Sequence, residues 1–295
     1  LLFEISGDVA YLLVEKEVLK KILVPTDGSP LSVIAEETAA SIAKKTGASI
    51  TAFYVLPELW SLYPLPRGVE NELQDSVHQR SDIILNSAQT LFKEENVQAN
   101  TETASGDAAE KILEFSKEGY DLITMGAHGE DETELYVLGS VTRKVIMHAD
   151  CPLLITKKVT SLSRMLVCVD GSQRSKGALD YALKLGEKVG SEITLINVQE
   201  HALHKVSPKV AEEHGARVLE SALTNVGKTG LKVERILEIG VPWKTILEVS
   251  KKGEYDIIVV GRRGTGTVRR FLLGSVSDSV SQKAECSVLM VPERK

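Results

Sequence analysis

Short, continuous apolar runs alternate along this chain with longer stretches in which apolar positions recur at helical spacing. Lys21 to Pro25 reads as a strand buried on both faces. Ser29-Pro30 supplies an N-cap and a proline at the first helical position. Leu31, Ile34, Ala35, Ala39, Ile42 and Ala43 then keep one helical face, and Gly47 ends the helix. Ile50 to Val55 is the next strand, Arg67 to Glu95 is mostly helix, and Thr101 to Ala104 is a strand. Asp107 caps a third helix with Ala108, Ile112 and Leu113 on one face. Leu122 to Met125 reads as strand, Ser140 to His148 as helix and Pro152 to Thr156 as the last strand.

The second half repeats the first. KKILVPTDGS, ending at Ser29, is answered by RMLVCVDGS, ending at Ser172, which sets Asp27 and Asp170 143 positions apart. SKEGYDLITMGAHG from Ser116 matches the one-residue-longer SKKGEYDIIVVGRRG from Ser250, and from there Gly126 matches Gly261, and ADCPLLITKK from Ala149 matches AECSVLMVPE from Ala284, at an offset of 135. The chain is a duplication. The second copy is about eight residues shorter, the difference falling between Pro57 and Gln98, where Pro57, Pro64 and Pro66 mark an irregular connection. Copy two predicts strands near 165–169, 192–198, 232–238, 256–260 and 287–291. Strands alternating with helices define the class as α/β: two tandem doubly wound domains, residues 20–158 and 164–295, each a five-stranded parallel sheet with helices on both faces. Each last strand, apolar and at a sheet edge, is expected to pair with the other. Cys151 and Cys286 would then lie at opposite ends of the pair, with no disulfide between them.

Composition narrows the function. The 295 residues suit two domains, with 43% apolar and 26% charged residues. No apolar run reaches the roughly 20 residues of a membrane span, and Leu1-Leu2-Phe3-Glu4 lacks a basic signal-peptide n-region. A net charge of −6 and 5% aromatics argue against a nucleic-acid partner. Cys151, Cys168 and Cys286 stand in no CxxC and read as buried thiols of a cytoplasmic protein. His201, His204 and His214 lack the carboxylates or cysteines that would complete a metal site. Residues 1–19 form an N-terminal extension. Apolar runs around Gly7-Asp8 predict a hairpin that could dock between two chains of a homodimer, with a helix over Val9 to Leu19 as the alternative.

The candidate chemistry lies after the fourth strand of each copy. Copy one has Gly126-x2-Gly129-x9-Gly139-Ser140, and copy two has Gly261-x2-Gly264-x9-Gly274-Ser275. In a parallel sheet, ligands sit beyond the carboxyl ends of the strands at the switch point. Glycines let a backbone approach a ligand without a Cβ, and a Gly-Ser helix start offers free N–H groups to phosphate. Asp27 and Asp170 end the first strands beside that loop, placed to accept from a ribose hydroxyl or to hold Mg²⁺ on phosphates. The alternative is that these residues merely shape two turns and a cap.

With these motifs the chain resembles a tandem universal stress protein of the adenine-nucleotide-binding type, over about residues 20–158 and 164–295. The resemblance implies ATP or AMP as the bound ligand, with weak ATP hydrolysis in some members, and pairing of domains through their last strands. It assigns the site to Asp170, Val198 (backbone to adenine), Gly261, Arg263, Gly264, Gly274, Ser275 and Val276. In copy one the matching set is Asp27, Val55, Gly126, His128, Gly129, Gly139, Ser140 and Val141.

The intervening loops differ in charge. Copy one carries Glu130, Asp131, Glu132 and Glu134, and copy two carries Arg262, Arg263, Arg269 and Arg270. At about 8 Å in a water-like dielectric each charge pair is worth ~0.5 kcal/mol. Copy two therefore reads as the principal ATP site, and copy one as empty, AMP-preferring or dependent on a divalent ion. Solvated loop charges are the plain alternative. No Gly-x4-Gly-Lys-Ser/Thr or His-x-Gly-His is present, and His128 has no nucleophile with an orienting carboxylate beside it. A nucleotide-responsive regulatory protein is the first reading. A slow ATPase and a nucleotide-independent interaction scaffold are the alternatives.

Overall fold

A computed structural model describes residues 19–58, 66–129, 138–226, 230–262 and 273–293. Apart from Leu19, the expected N-terminal hairpin lies outside the described residues. Copy one runs β1 (Lys21–Pro25), α1 (Pro30–Thr46), β2 (Ser49–Leu56), α2 (Arg67–Glu94), β3 (Ala99–Ser105), α3 (Ala108–Phe115), β4 (Leu122–Gly126), α4 (Ser140–His148) and β5 (Leu153–Thr156). Copy two runs β6 (Arg164–Cys168), α5 (Gln173–Val189), β7 (Glu192–Glu200), α6 (His201–Val206), α7 (Pro208–Val226), β8 (Val233–Gly240), α8 (Pro242–Lys252), β9 (Ile257–Gly261), α9 (Ser275–Lys283) and β10 (Ser287–Val291). Every expected strand is present, with ends shifted by at most two residues. The short α6 is an addition to the expected order. Pro208 has no N–H with which to continue it, so the chain turns at Ser207 and restarts as α7.

The strands form one sheet in the order β3-β2-β1-β4-β5-β10-β9-β6-β7-β8. Neighbours within each copy are parallel. In each copy the chain steps outward from its first strand to the second and third, then returns to the other side for the fourth and fifth. That reversal sets one switch point beyond the carboxyl ends of β1 and β4, and another beyond β6 and β9. Alternation along β1 divides the interior: Ile22 and Val24 face one layer, Leu23 the other. Both layers run through both copies. The first joins Ile42 and Phe92 to Leu179 and Leu185, and the second joins Ile123 and Ile146 to Ile258 and Val280.

The copies meet at β5 and β10, which pair antiparallel with Leu154 opposite Leu289 and Leu153 opposite Met290. All four side chains are essentially buried, each contributing about 1.5–3 kcal/mol. The pairing closes two apolar edges that would otherwise invite aggregation. It sets Cys151 and Cys286 at opposite ends, and all three cysteines are free thiols. Polar contacts follow the same pseudo-twofold. Arg143 and Asp278 occupy equivalent positions 135 apart and meet each other at 3.5 Å, so duplication has turned a self-contact into an ion pair. Lys157 Nζ donates to the carbonyls of Gln282 and Ala284 at 2.8 and 2.7 Å, capping the end of α9. Arg262 Nη1 donates to the carbonyl of Ala149 at 2.6 Å, capping the end of α4.

Candidate functional site

The first strand of each copy ends in the same turn. Thr26 N–H donates to Phe53 O at 3.0 Å, Ser29 N–H donates to Asp27 Oδ1 at 3.0 Å, and Ser32 N–H donates to Ser29 Oγ at 3.2 Å. In copy two Val169 N–H donates to Ile196 O at 2.9 Å, Ser172 N–H to Asp170 Oδ1 at 3.0 Å and Ser175 N–H to Ser172 Oγ at 3.1 Å. Gly28 and Gly171 carry φ of +82° and +80°, which a side chain rarely adopts. One carboxylate oxygen of each Asp is thus spent on its turn, leaving Oδ2 for other work.

Beyond β4 the glycines allow close approach within the protein. A Cβ on Gly126 would meet the backbone of Leu31 in α1 at 2.9 Å, and one on Gly129 would overlap Asp27 Oδ2. The missing side chains make room for the first turn of α1 and for the carboxylate, so the motif builds the wall of the crevice. Gly139 then closes the loop, its N–H donating to Ala127 O at 2.9 Å, and begins α4 without a side-chain cap. The N–H groups of Ser140, Val141 and Thr142 therefore point out of the helix without intrahelical acceptors. Copy two repeats this start, Gly274 N–H donating to Arg262 O at 3.2 Å. The first turn of α9 carries the acid Asp278, whereas that of α4 carries none.

All eight expected residues of copy one, Asp27, Val55, Gly126, His128, Gly129, Gly139, Ser140 and Val141, line one cavity of about 570 Å³. Phe53 O is taken by Thr26 N–H, and alternate residues of a parallel strand address the same neighbour. Val55 therefore turns its N–H and C=O toward the side where β1 has already stopped. Pro57, Ile112 and Met125 add apolar wall. His128 Nδ1 donates to Gly129 O at 3.3 Å.

Ser76, Val77 and Arg80 of α2 also line the cavity, and sequence reasoning missed them. Their spacing places them on one helical face, but only the docking of α2 aims that face at the crevice. Thr26 and Ser32, also in the wall, lead to a further missed residue. Thr26 Oγ1 lies 3.1 Å from Ser32 Oγ and 2.6 Å from Glu36 Oε1. Glu36 is buried, and loss of solvent pushes its carboxyl up to about 7 against the lowering effect of the Thr26 bond; the charges of Asp27 and Glu37 push the same way as burial. Protonated, Glu36 can donate to Thr26, Thr26 to Ser32, and Ser32 to Ser29 O at 2.9 Å, a run of donors ending at the cap of α1.

In copy two, Asp170, Val198, Gly261, Gly274, Ser275 and Val276 take the equivalent places, while Arg263, Gly264, Arg269 and Arg270 lie outside the described residues, as do Glu130 to Glu134 of copy one. Burial raises the pKa of all three thiols, Cys168 most, so none is a poised nucleophile. No group of three or more potential metal ligands occurs among the described residues. None of their helices is long and apolar enough to cross a membrane.

The architecture is thus a duplicated α/β fold whose strand order reverses once in each copy. The model of the universal stress protein family matches residues 19–157 and again 162–292, and the chain belongs to that family. A universal stress protein of Mycobacterium tuberculosis is 28% identical over 299 residues, covering 92% of this chain and 96% of its own. One from Methanocaldococcus jannaschii is 36% identical over 141 residues, 47% of this chain and 82% of its own. Among solved structures, a universal stress protein from Archaeoglobus fulgidus superposes with a TM-score of 0.73 at 26% identity, covering 95% of this chain and 100% of its own.

Proposed function

We propose that this chain is a nucleotide-responsive regulatory protein that binds an adenine nucleotide, ATP or AMP, in its switch-point crevices. The observation that carries the reading is the convergence of all eight expected copy-one residues on a single cavity. Adenine fits the apolar stretch beside Val55, Pro57, Ile112 and Met125, its edge meeting the free N–H and C=O of Val55. Asp27 Oδ2 accepts from a ribose hydroxyl. Phosphate takes the first-turn N–H groups of α4, where no acid competes. Copy two offers the same frame through Asp170, Val198 and Gly274 to Val276, and its loop arginines favour the more highly charged ATP. Mg²⁺ would arrive on the phosphates, with Asp170 or Asp27 as its nearest carboxylate. Assembly into a homodimer belongs to the same reading and rests on residues 1–19; light scattering with and without them tests it.

Mass spectrometry of nucleotide released from the purified protein, followed by calorimetric titration with ATP and AMP, tests the proposal. Saturable binding is expected, with Gly129→Asp and Gly264→Asp each removing one site and Asp170→Ala weakening its site by roughly tenfold. Absence of nucleotide and of any titratable binding would overturn the reading in favour of an interaction scaffold.

A further inference from the structure

Two hydroxyls behind Asp27 make three oxygen–oxygen contacts. Thr26 Oγ1 lies 2.6 Å from Glu36 Oε1 and 3.1 Å from Ser32 Oγ, and Ser32 Oγ lies 2.9 Å from Ser29 O. Each contact needs one hydrogen, and the two hydroxyls bring two. With Glu36 ionised, one contact is left without a hydrogen. With Glu36 protonated there are three hydrogens for three contacts, running from Glu36 to Thr26, to Ser32 and to Ser29 O. The geometry is that of the neutral acid, and burial of the carboxyl favours the same form.

This chain belongs to the wall of the copy-one cavity, which Thr26, Asp27 and Ser32 all line. Glu36 itself is 3% exposed. The charges that act on it are those of Asp27 and Glu37, both acids. α1 packs on β1, β2, β4, β5, α2 and α5. Lys44 of α1 pairs with Glu95 beyond α2, and Lys45 donates to the carbonyls of Ser161 and of Val189 at the end of α5. Tyr181 of α5 donates to Asp121 O at 3.3 Å. Tyr54 of β2 and Arg80 of α2 line the cavity, and neither is among the charges that act on Glu36. Thr124 of β4 and Leu154 of β5 are neutral. An anion entering the cavity adds to the negative potential of Asp27 and Glu37 through a buried wall, where charges interact more strongly than in water. It favours the proton on Glu36, and by linkage the proton favours the anion.

Copy two lacks this chain. Val169 and Leu179 stand at the positions of Thr26 and Glu36. The equivalent serine, Ser175, receives its hydrogen bond from Asp170 N–H at 3.3 Å instead.

We propose that the Glu36–Thr26–Ser32 chain makes anion binding in the copy-one crevice proton-linked, the nucleotide phosphate entering with uptake of a solvent proton by the Glu36 carboxylate, a step that rests on reading this crevice as a nucleotide site. Copy two binds without that uptake. Glu36 loses its proton as pH rises through about 7, so the copy-one affinity is level below that pH and falls above it.

The test is calorimetric titration of the full chain with AMP, without metal, between pH 6 and pH 9 and in buffers of different ionisation enthalpy. Gly264→Asp leaves the copy-one site to be read alone, and Gly129→Asp the copy-two site. The copy-one affinity should fall about tenfold from pH 6 to pH 9, with about half a proton taken up near pH 7.5. Glu36→Gln, which keeps a donor for Thr26, should match the parent at pH 6 and bind about tenfold more tightly than it at pH 9. The His128 imidazole and the phosphate of AMP are common to both proteins, so their difference reports Glu36. Carboxyl ¹³C NMR should show Glu36 titrating at higher pH when AMP is bound. Equal affinities of parent and Glu36→Gln at pH 9, the same proton uptake in copy two, or a Glu36 titration that AMP does not move would overturn the inference and leave nucleotide binding standing. No binding in the Gly264→Asp chain at any pH would also overturn it, and no binding of AMP or ATP in the parent chain would overturn the nucleotide reading with it.

Discussion

Copy one and copy two share the turn and cap that follow their first strands and differ in the side chains packed behind them. Gly28 and Gly171 turn alike, Ser29 and Ser172 cap alike, and Thr142 and Ser277 donate alike to the carbonyls of Gly126 and Gly261 at 3.0 and 2.7 Å. Yet Thr26, Glu36 and Thr124 of copy one stand where copy two has Val169, Leu179 and Val259. Thr124 Oγ1 is a buried polar atom without a hydrogen-bond partner. Copy one therefore carries polar groups under α1 that cost stability, and copy two has an apolar seam there. The frame is common to both halves, with polar groups behind it in one and apolar packing in the other.

The largest expected effect tests what the halves have in common. Leu154 and Leu289 oppose each other at the junction, so Leu154→Asp and Leu289→Asp should each cost about 3–5 kcal/mol by burying an unpaired charge. Urea unfolding should give the same loss for both. A tolerated substitution on one side alone would break the pseudo-twofold.

Next comes the acid found in copy one alone. Its folded pKa, about 7, lies above the ordinary 4.5, so between these values the native state holds a proton that the unfolded chain releases. The penalty is absent below about pH 4.5, grows as pH rises and is fully present above about 7. Glu36→Gln keeps the shape and a donor for Thr26, and should stabilise the protein by about 3 kcal/mol at pH 8 and hardly at all at pH 4.5. A gain of equal size at both pH values would remove the ionisation argument.

A third effect is smaller. Arg262→Ala removes the bond to Ala149 O across the junction and should cost about 2 kcal/mol. Arg143→Ala, losing only a half-exposed pair with Asp278, should cost less than about 0.5 kcal/mol. Equal costs would mean that the junction is held by surface charge instead of by helix capping.

Much of this was legible in the sequence because the signals are local or repeated. Continuous apolar runs marked β1, β4 and β9, the Ser-Pro pair marked α1, and the two glycine patterns located both crevices. What stayed hidden depends on docking between distant elements. Arg80 reaches the cavity through the placement of α2. Arg262, read as a loop charge near phosphate, spends its guanidinium on the end of α4 in the other copy. That Gly129 also makes room for the carboxylate of Asp27 shows only once the two loops are docked. Glu36 sits at an ordinary helical position, and only burial against Thr26 sets it apart.

The smallest effect separates a cap from a charge at a position the copies fill differently. Asp107 begins α3 by accepting from Glu110 N–H at 3.0 Å, and it also meets Lys144 Nζ at 3.2 Å. Its counterpart is Val241, from which α8 starts with no side-chain cap, Pro242 at the next position supplying a preset φ instead. The backbone bond from Glu110 is the main reason the Asp107 carboxyl lies below the usual carboxylate range; the Lys144 bond and charge act in the same direction. Its contribution is present at neutral pH and lost as pH falls through the folded value. Asp107→Ala should cost about 1 kcal/mol. Asp107→Asn keeps an acceptor for Glu110 N–H and gives up the charge, so it should cost only a few tenths of a kcal/mol, and it should flatten the acid limb of the stability curve. If Asn costs as much as Ala, the carboxylate works mainly through Lys144. The two copies would then start these equivalent helices on different physics, charge in one and backbone rigidity in the other.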